Sequence, residues 1–139
     1  MKFILFFIVL IFLQACTAVD VKPIDSGYNV QHICIEENPK VIVKHFLETV
    51  ETLLHDRSIT TERYSGNVPE HCIHHMTYTA LQTWDVSMYL HYAELRLFEG
   101  RERIGYAEYR LRAGGGLALN KWASVKSKME PVVAKMTGR

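Results

Sequence analysis

The sequence lacks a surplus of either charge, and after its first fifteen residues it lacks any long apolar run. Its 139 residues carry 16 Lys and Arg against 15 Asp and Glu. A surface that binds nucleic acid needs a basic surplus to contact phosphates, so this balance argues against DNA or RNA as a partner. A transmembrane helix needs about 20 apolar residues, and no later stretch of the chain is that long.

The sequence also lacks the short motifs of common hydrolases and metalloenzymes. It contains no Gly-x-Ser-x-Gly, His-Glu-x-x-His or Cys-x-x-Cys segment. The glycines at positions 114–116 are not followed by the Lys-Ser or Lys-Thr pair of a phosphate-binding loop, and we interpret them as a flexible connection between a strand and a helix. A hydrolase is the least supported function. We predict a non-enzymatic protein without a cofactor.

The N-terminus has the layout of an export signal. Lys2 is the only charged residue among residues 1–15, and residues 3–13 are all apolar. This run is too short to cross a bilayer, but it is typical of the apolar core of a secretory signal peptide. Residues 13–16 (LQAC) resemble the lipobox of bacterial lipoproteins. The alternatives are an ordinary signal peptide cut near residues 15–17 and an uncleaved anchor.

The lipobox resemblance implies that Cys16 becomes the lipid-modified first residue of the mature protein. Its sulfur would carry diacylglycerol and its amine often a further acyl chain such as palmitate. Two or three chains hold a protein firmly on a membrane, because each buried methylene contributes ~0.8 kcal/mol. In Gram-negative lipoproteins an Asp after the Cys commonly marks the inner membrane. For a Gram-negative host, Thr17 therefore predicts an outer-membrane anchor, with the domain facing the periplasm.

Lipidation of Cys16 leaves two of the three cysteines. An even remainder in an oxidising compartment predicts a disulfide between Cys34 and Cys72. The mirrored triplets at residues 32–34 (HIC) and 72–74 (CIH) leave an alternative open, because two neighbouring strands would then present a Cys2His2 set suited to zinc. In this alternative the protein is a periplasmic metal-binding lipoprotein. Its four ligands would be His32, Cys34, Cys72 and His74.

The mature chain is predicted to consist of a tether followed by one domain. Residues 16–27 contain few large apolar groups and are interpreted as the lipidated N-terminus and a tether, and residues 28–139 as a single α+β domain. Asn38 followed by Pro39 predicts the start of a helix. The apolar period of that helix extends to about residue 57.

Segments rich in β-formers flank this helix. Strands are expected at residues 28–35, 58–64, 74–84, 86–98 and 103–111. Apolar spacing between residues 122 and 136 predicts a C-terminal helix, which Pro131 should kink or divide. We expect a mostly antiparallel sheet of four or five strands with two helices packed on one face, in β-α-β-β-β-α order.

The alternation of the last two strands predicts their register. The apolar faces match if Leu97 lies opposite Gly105 and Leu95 opposite Ala107. The outer face would then pair Tyr92 with Arg110, Glu94 with Glu108, and Arg96 with Tyr106.

This outer face is the predicted partner surface, since tyrosine and arginine are enriched at interfaces. Its residues are Tyr92, Arg96, Tyr106 and Arg110. Glu94 and Glu108 could form a carboxylate pair for acid–base chemistry. The adjacent arginines favour a solvated charge ladder instead.

Two further features have ordinary structural interpretations. Trp84 is expected in the core, with a ligand or partner contact as the alternative. His71, His74 and His75 surround Cys72, and strand parity places His74 on the face of Cys72 and the other two on the opposite face. We interpret these histidines as a polar strand face that is sensitive to pH.

Several segments carry a resemblance to a known family. They are residues 78–80 (YTA), 84–85 (WD), 93–95 (AEL), 104–109 (IGYAEY) and 114–117 (GGGL). Through them most of the mature chain resembles a family of small proteobacterial lipoproteins with no assigned activity. The element order is also similar to that of small periplasmic lipoproteins that act as assembly accessories, an analogy of fold alone. The predicted function is a lipid-anchored envelope accessory that binds another envelope protein, with its oligomeric state left open.

Overall fold

A computed structural model of the protein describes residues 17–112 and 119–139. The strands are β1 (Thr17–Lys22), β2 (His32–Glu36), β3 (Thr60–Tyr64), β4 (His74–Asp85), β5 (Ser87–Glu99) and β6 (Glu102–Leu111), and the helices are α1 (Phe46–His55), α2 (Val125–Thr137) and a short 3₁₀ helix (Leu119–Trp122). The strands form one mixed sheet in the order β1-β6-β5-β4-β2-β3. The neighbouring pairs β1–β6, β6–β5 and β5–β4 are antiparallel. Strand β2 runs parallel to both of its neighbours, β4 and β3.

Both helices pack on one face of this sheet and make the core with it. Phe46 and Leu53 of α1 and Met129 of α2 are buried in the same apolar cluster as Leu95 and Leu97 of β5. The predicted α+β class and the two helices on one face are confirmed. No helix within the described residues is long and apolar enough to span a membrane.

The prediction of four or five strands omitted β1. Residues Thr17–Lys22, interpreted as part of a tether, instead pair antiparallel with β6 from Thr17 opposite Leu111 to Lys22 opposite Tyr106. Val19 and Val21 are only partly buried against the core. A short edge strand of this kind has a weak apolar pattern, so its pairing depends on the tertiary partner.

Helix α1 begins at Phe46 rather than at Pro39. The Asn38 side chain accepts a hydrogen bond from the Lys40 N–H at 3.1 Å and donates one to the Tyr78 carbonyl at 2.9 Å. Asn38 therefore closes a turn on β4 instead of capping a helix.

Helix α2 continues through Pro131, so the proline does not divide it into two pieces. Val132 and Met136 beyond the proline are fully buried. Packing against the sheet therefore offsets the hydrogen bond that the proline cannot donate.

The predicted register of the β5–β6 hairpin is confirmed. Leu97 lies opposite Gly105 and Leu95 opposite Ala107, with a bulge beginning after Leu97. A Cβ at Gly105 would lie 3.1 Å from Ile24 Cγ1 and 3.4 Å from Leu97 Cβ. The absence of a side chain at Gly105 lets the segment before β2 cross closely over the sheet.

Candidate functional site

The outer face, the face of the sheet away from the helices, carries a row of paired polar side chains. Glu94 lies opposite Glu108, Arg96 opposite Tyr106, and Tyr92 opposite Arg110, as predicted. The sequence therefore located the members of this row and their cross-strand partners correctly.

Hydrogen bonds from two tyrosines tie the carboxylates of the outer face together. The Tyr92 hydroxyl donates to Glu94 Oε2 at 2.6 Å and the Tyr106 hydroxyl donates to Glu108 Oε2 at 2.6 Å. The Tyr106 hydroxyl also lies 3.3 Å from Glu94 Oε2. Each carboxylate thus has a hydroxyl donor, and the network holds the two strands in register on this face.

Two arginines complete the network. Arg96 forms an ion pair with Glu94, and Arg110 Nη2 lies 3.0 Å from Glu108 Oε1. The Arg110 guanidinium also lies over the Tyr92 ring, 5.1 Å from its centroid. The arginines therefore neutralise the carboxylate pair, as expected, but Glu94 is only 7% exposed, so the ladder is not solvated throughout.

The electrostatics keep Tyr92, Tyr106 and Glu108 of this network in one protonation state near neutral pH. Burial, followed by the hydrogen bond to Glu94, raises the pKa of Tyr92 to about 12. Burial and the bond to Glu108 also raise the pKa of Tyr106. The hydrogen bond from Tyr106 lowers the pKa of Glu108 against the opposing effect of burial, and Arg110 adds to this lowering. The groups are thus held as hydroxyls and carboxylate, which suits a rigid binding surface better than proton transfer.

Strand β1 extends the outer face with charges that the sequence reasoning missed. Asp20 lies opposite Glu108, and Lys22 lies opposite Tyr106. Both side chains are exposed at the edge of the sheet. Their place on this surface follows only from the pairing of β1, which the tether interpretation left out.

The predicted disulfide is confirmed. Cys34 and Cys72 are joined, with their Cα atoms 6.0 Å apart. Both lie in a small buried cluster with Tyr64, separate from the main core. Since neither sulfur is a free thiolate, the disulfide form offers no cysteine ligand to a metal.

The structure does not assemble the predicted Cys2His2 ligand set. His32 Nε2 lies 3.8 Å from Cys34 Sγ, but His74 is buried at the start of β4, where its Nε2 lies 3.2 Å from Glu99 Oε1. His71 takes the place near the disulfide instead. The parity argument failed because Cys72 precedes β4, and strand alternation does not extend to a turn.

His75, the third histidine of that stretch, packs against an aromatic ring. Its ring stacks on Phe98 with the centroids 5.2 Å apart. Burial lowers the pKa of His75, so it is more fully neutral at physiological pH than a free histidine.

Trp84 is exposed, contrary to the core prediction. It lies near the connection between β4 and β5 with Val86 and Met88, and these three residues are 70%, 78% and 51% exposed. We call them the hairpin tip. Val86 has a left-handed backbone with φ 63°, which is unusual for a β-branched residue. An apolar group held outward at the end of a hairpin is a feature of contact sites.

The β4–β5 hairpin is tied to the segment before α2 at its tip. The Trp122 indole donates to the Asp85 carbonyl at 2.8 Å, and Lys121 forms an ion pair with Asp85. The buried Lys128 amine donates to the Leu90 carbonyl at 2.9 Å. These contacts hold the hairpin at a defined angle to the domain.

The signal peptide, Cys16 and the glycines at 114–116 lie outside the described residues. Their predicted roles as leader, lipidation site and flexible connection stay predictions.

The protein has an α+β fold in which two helices cover one face of an open sheet. Solved structures of this kind exist. The chain is similar to PelC from Paraburkholderia phytofirmans in two structures, both described as dodecamers. One, a single-substitution variant, has a TM-score of 0.54 at 9% identity over 88% of this chain and 99% of that chain. The other has a TM-score of 0.53 at 8% identity over 86% and 94%. At this identity the likeness concerns the fold alone. Protein-family models and curated protein sequences gave no match.

Proposed function

We propose that this protein is a lipid-anchored accessory of the cell envelope that lies against the membrane at one end of its sheet. The observation that supports this most strongly is the position of Thr17 in the sheet. Thr17, next to the proposed lipid-bearing Cys16, pairs with Leu111 at the end of β6. The hairpin tip lies at that same end, because β5 begins there and runs antiparallel to β6.

The distances between these two features suit a single membrane plane. Tyr92 lies opposite Arg110, which in turn lies opposite Ala18. At roughly 3.3 Å per residue, Val86 projects about 15 Å beyond the level of Thr17, and β1 and β5 are about 10 Å apart across β6. With the strands inclined to the membrane, the acyl chains and the hairpin tip reach the surface together.

The composition of the tip also suits a lipid interface. Tryptophan is enriched at the level of the headgroups, and apolar side chains of surface-bound proteins enter about 5–10 Å into this region. Leu119 and Trp122, which are also exposed, lie beside the hairpin through the Trp122 contact with Asp85. The tip therefore acts as a second membrane contact that fixes the orientation of the domain.

The anchor is tested by intact-mass measurement of the protein isolated from membranes. The expected mass is that of a chain beginning at Cys16 with a diacylglyceryl group and any further acyl chain. A chain with a bare Cys16 thiol, or one that still begins with Met1, would overturn the anchor.

The orientation is tested by tryptophan fluorescence in vesicles that contain brominated lipids. In the Trp122→Phe variant, Trp84 is the sole reporter and its emission should be quenched. The matched control carries Trp84→Phe, Trp122→Phe and Ile73→Trp. Ile73 is 68% exposed and lies just before β4, at the other end of the sheet. Equal quenching of both reporters, or none of Trp84, would refute the orientation.

We further propose that the outer face binds a neighbouring protein in the envelope, and that other copies of this chain are among its partners. The self-association rests on the dodecamers described for both structures of similar fold. Native mass spectrometry of the detergent-solubilised protein should show an oligomer, and a strict monomer would remove this part of the proposal.

The face itself is tested with a photo-crosslinking residue at position 110 in intact cells. Arg110 is exposed on the outer face, and Lys126, which is exposed on α2, is the control position. Crosslinks from position 110 but not from 126 are expected. If both positions crosslink alike, the outer face is not a specific contact surface.

A further inference from the structure

Two histidines flank Glu62 beside the disulfide, independently of the membrane proposal. Glu62 of β3 lies opposite Cys34 of β2. His71 Nε2 lies 3.1 Å from Glu62 Oε2, and His32 Nε2 lies 3.8 Å from the same oxygen. All three side chains are accessible to solvent. We call them the His-Glu cluster.

The hydrogen bonds around His32 indicate which of its ring nitrogens is free. The Thr60 hydroxyl lies 3.2 Å from the Gln31 carbonyl and 2.8 Å from His32 Nδ1. With its proton donated to the carbonyl, Thr60 Oγ1 accepts the bond from His32 Nδ1. In a neutral imidazole one ring nitrogen is a donor and the other an acceptor, so His32 Nε2 presents its lone pair.

That lone pair is directed toward groups that have no proton to give. Its neighbours are the Glu62 carboxylate oxygen and the Cys34 sulfur, each at 3.8 Å. The sulfur is in the disulfide, so it is neither a donor nor an anion. Lone pairs facing one another across this distance are stabilised by a cation placed between them.

From this arrangement we propose that His32, Glu62 and His71 bind one divalent transition-metal ion, with Zn²⁺ as the best fit. Zinc takes imidazole nitrogen and carboxylate oxygen at about 2.0–2.2 Å, and three protein ligands leave its fourth position open to water. Ligand atoms around such an ion lie roughly 3.3–3.5 Å apart. The two separations from Glu62 Oε2, 3.1 Å to His71 and 3.8 Å to His32, bracket this spacing.

The surroundings of the cluster hold the ligands in place. The bond from Nδ1 to Thr60 orients the His32 ring in the way that outer-shell partners orient metal-binding histidines. The disulfide ties Cys72, the neighbour of His71, to β2 two residues from His32. Of the predicted Cys2His2 ligands this site keeps only His32. Its other two ligands, Glu62 and His71, were not in that set.

The test is calorimetric titration of ZnCl₂ into the detergent-solubilised full-length protein with its disulfide intact. One equivalent should bind. His32→Ala, Glu62→Gln and His71→Ala should each weaken binding by at least roughly tenfold, and Thr60→Val should weaken it by a factor between roughly 10 and 100. The matched control is His55→Ala, because the His55 ring also contacts a threonine hydroxyl, Thr61 at 2.9 Å, and it should bind as the wild type does.

Circular dichroism establishes that each variant is folded, and zinc should also raise the melting temperature of the wild type but not of His71→Ala. The proposal is overturned if the oxidised wild type binds no zinc. It is equally overturned if His71→Ala binds zinc as tightly as the wild type, or if binding requires reduction of the disulfide, since the cysteines would then be the ligands.

Discussion

Replacing both Cys34 and Cys72 by alanine should destabilise the domain by about 4 kcal/mol. The double variant is the appropriate perturbation, because a single substitution would leave an unpaired thiol. The two residues are 38 apart in sequence, and the disulfide closes this loop in the unfolded chain as well as in the folded one.

The magnitude follows from the loop that the disulfide closes. In the chain-entropy model a closed loop of this length lowers the entropy of the unfolded chain by about 13 cal/mol/K, or about 4 kcal/mol at 25 °C. Domains of this size have a free energy of unfolding of about 5–15 kcal/mol. The variant should therefore lose a large share of its stability, and the loss of two buried sulfur atoms beside Tyr64 adds to the effect.

Urea denaturation followed by circular dichroism measures this difference. The wild type should lose about as much stability on addition of a thiol reductant as it loses by the double substitution, and the variant should not respond to reductant. A loss below about 1 kcal/mol would refute the loop-entropy argument. A response of the variant to reductant would show that the effect does not come from this disulfide.

Three other changes test the packing and the charges. Burial lowers the pKa of Lys128 to about 8. Between about pH 8 and 10 the unfolded chain therefore keeps a proton on this amine that the folded protein has released. The free energy of unfolding of the wild type should rise over this range by up to roughly 3 kcal/mol. Lys128→Met should abolish this rise in pH-dependent denaturation, and an unchanged slope would contradict the assignment. Gly105→Ala should lower the free energy of unfolding by about 1–3 kcal/mol, measured by thermal unfolding, because the added methyl group overpacks the site. An unchanged stability would show that the neighbouring side chains can move aside without cost. Tyr106→Phe should raise the pKa of Glu108 in an NMR titration, since the lost hydrogen bond is the main cause of its lowering; an unmoved pKa would assign the lowering to Arg110.

Local alternation predicted the centre of the sheet and most of the outer face. The pairing of Glu94 with Glu108 and of Leu97 with Gly105 follows from a period of two on both strands, because a shift by one residue would turn the apolar groups of β6 to solvent. The disulfide followed from the number of cysteines and from the proposed compartment.

Tertiary structure decided the features that have no period. β1 is a strand only because β6 offers it an edge, and Asn38 turns toward Tyr78 instead of beginning a helix. His71 lies by the disulfide because a turn, and not a strand, precedes β4. Trp84 is exposed near the end of β4, beside the connection to β5. Sequence periodicity reports which face of an element is apolar, whereas the position of edges, turns and hairpin ends depends on which other elements reach them.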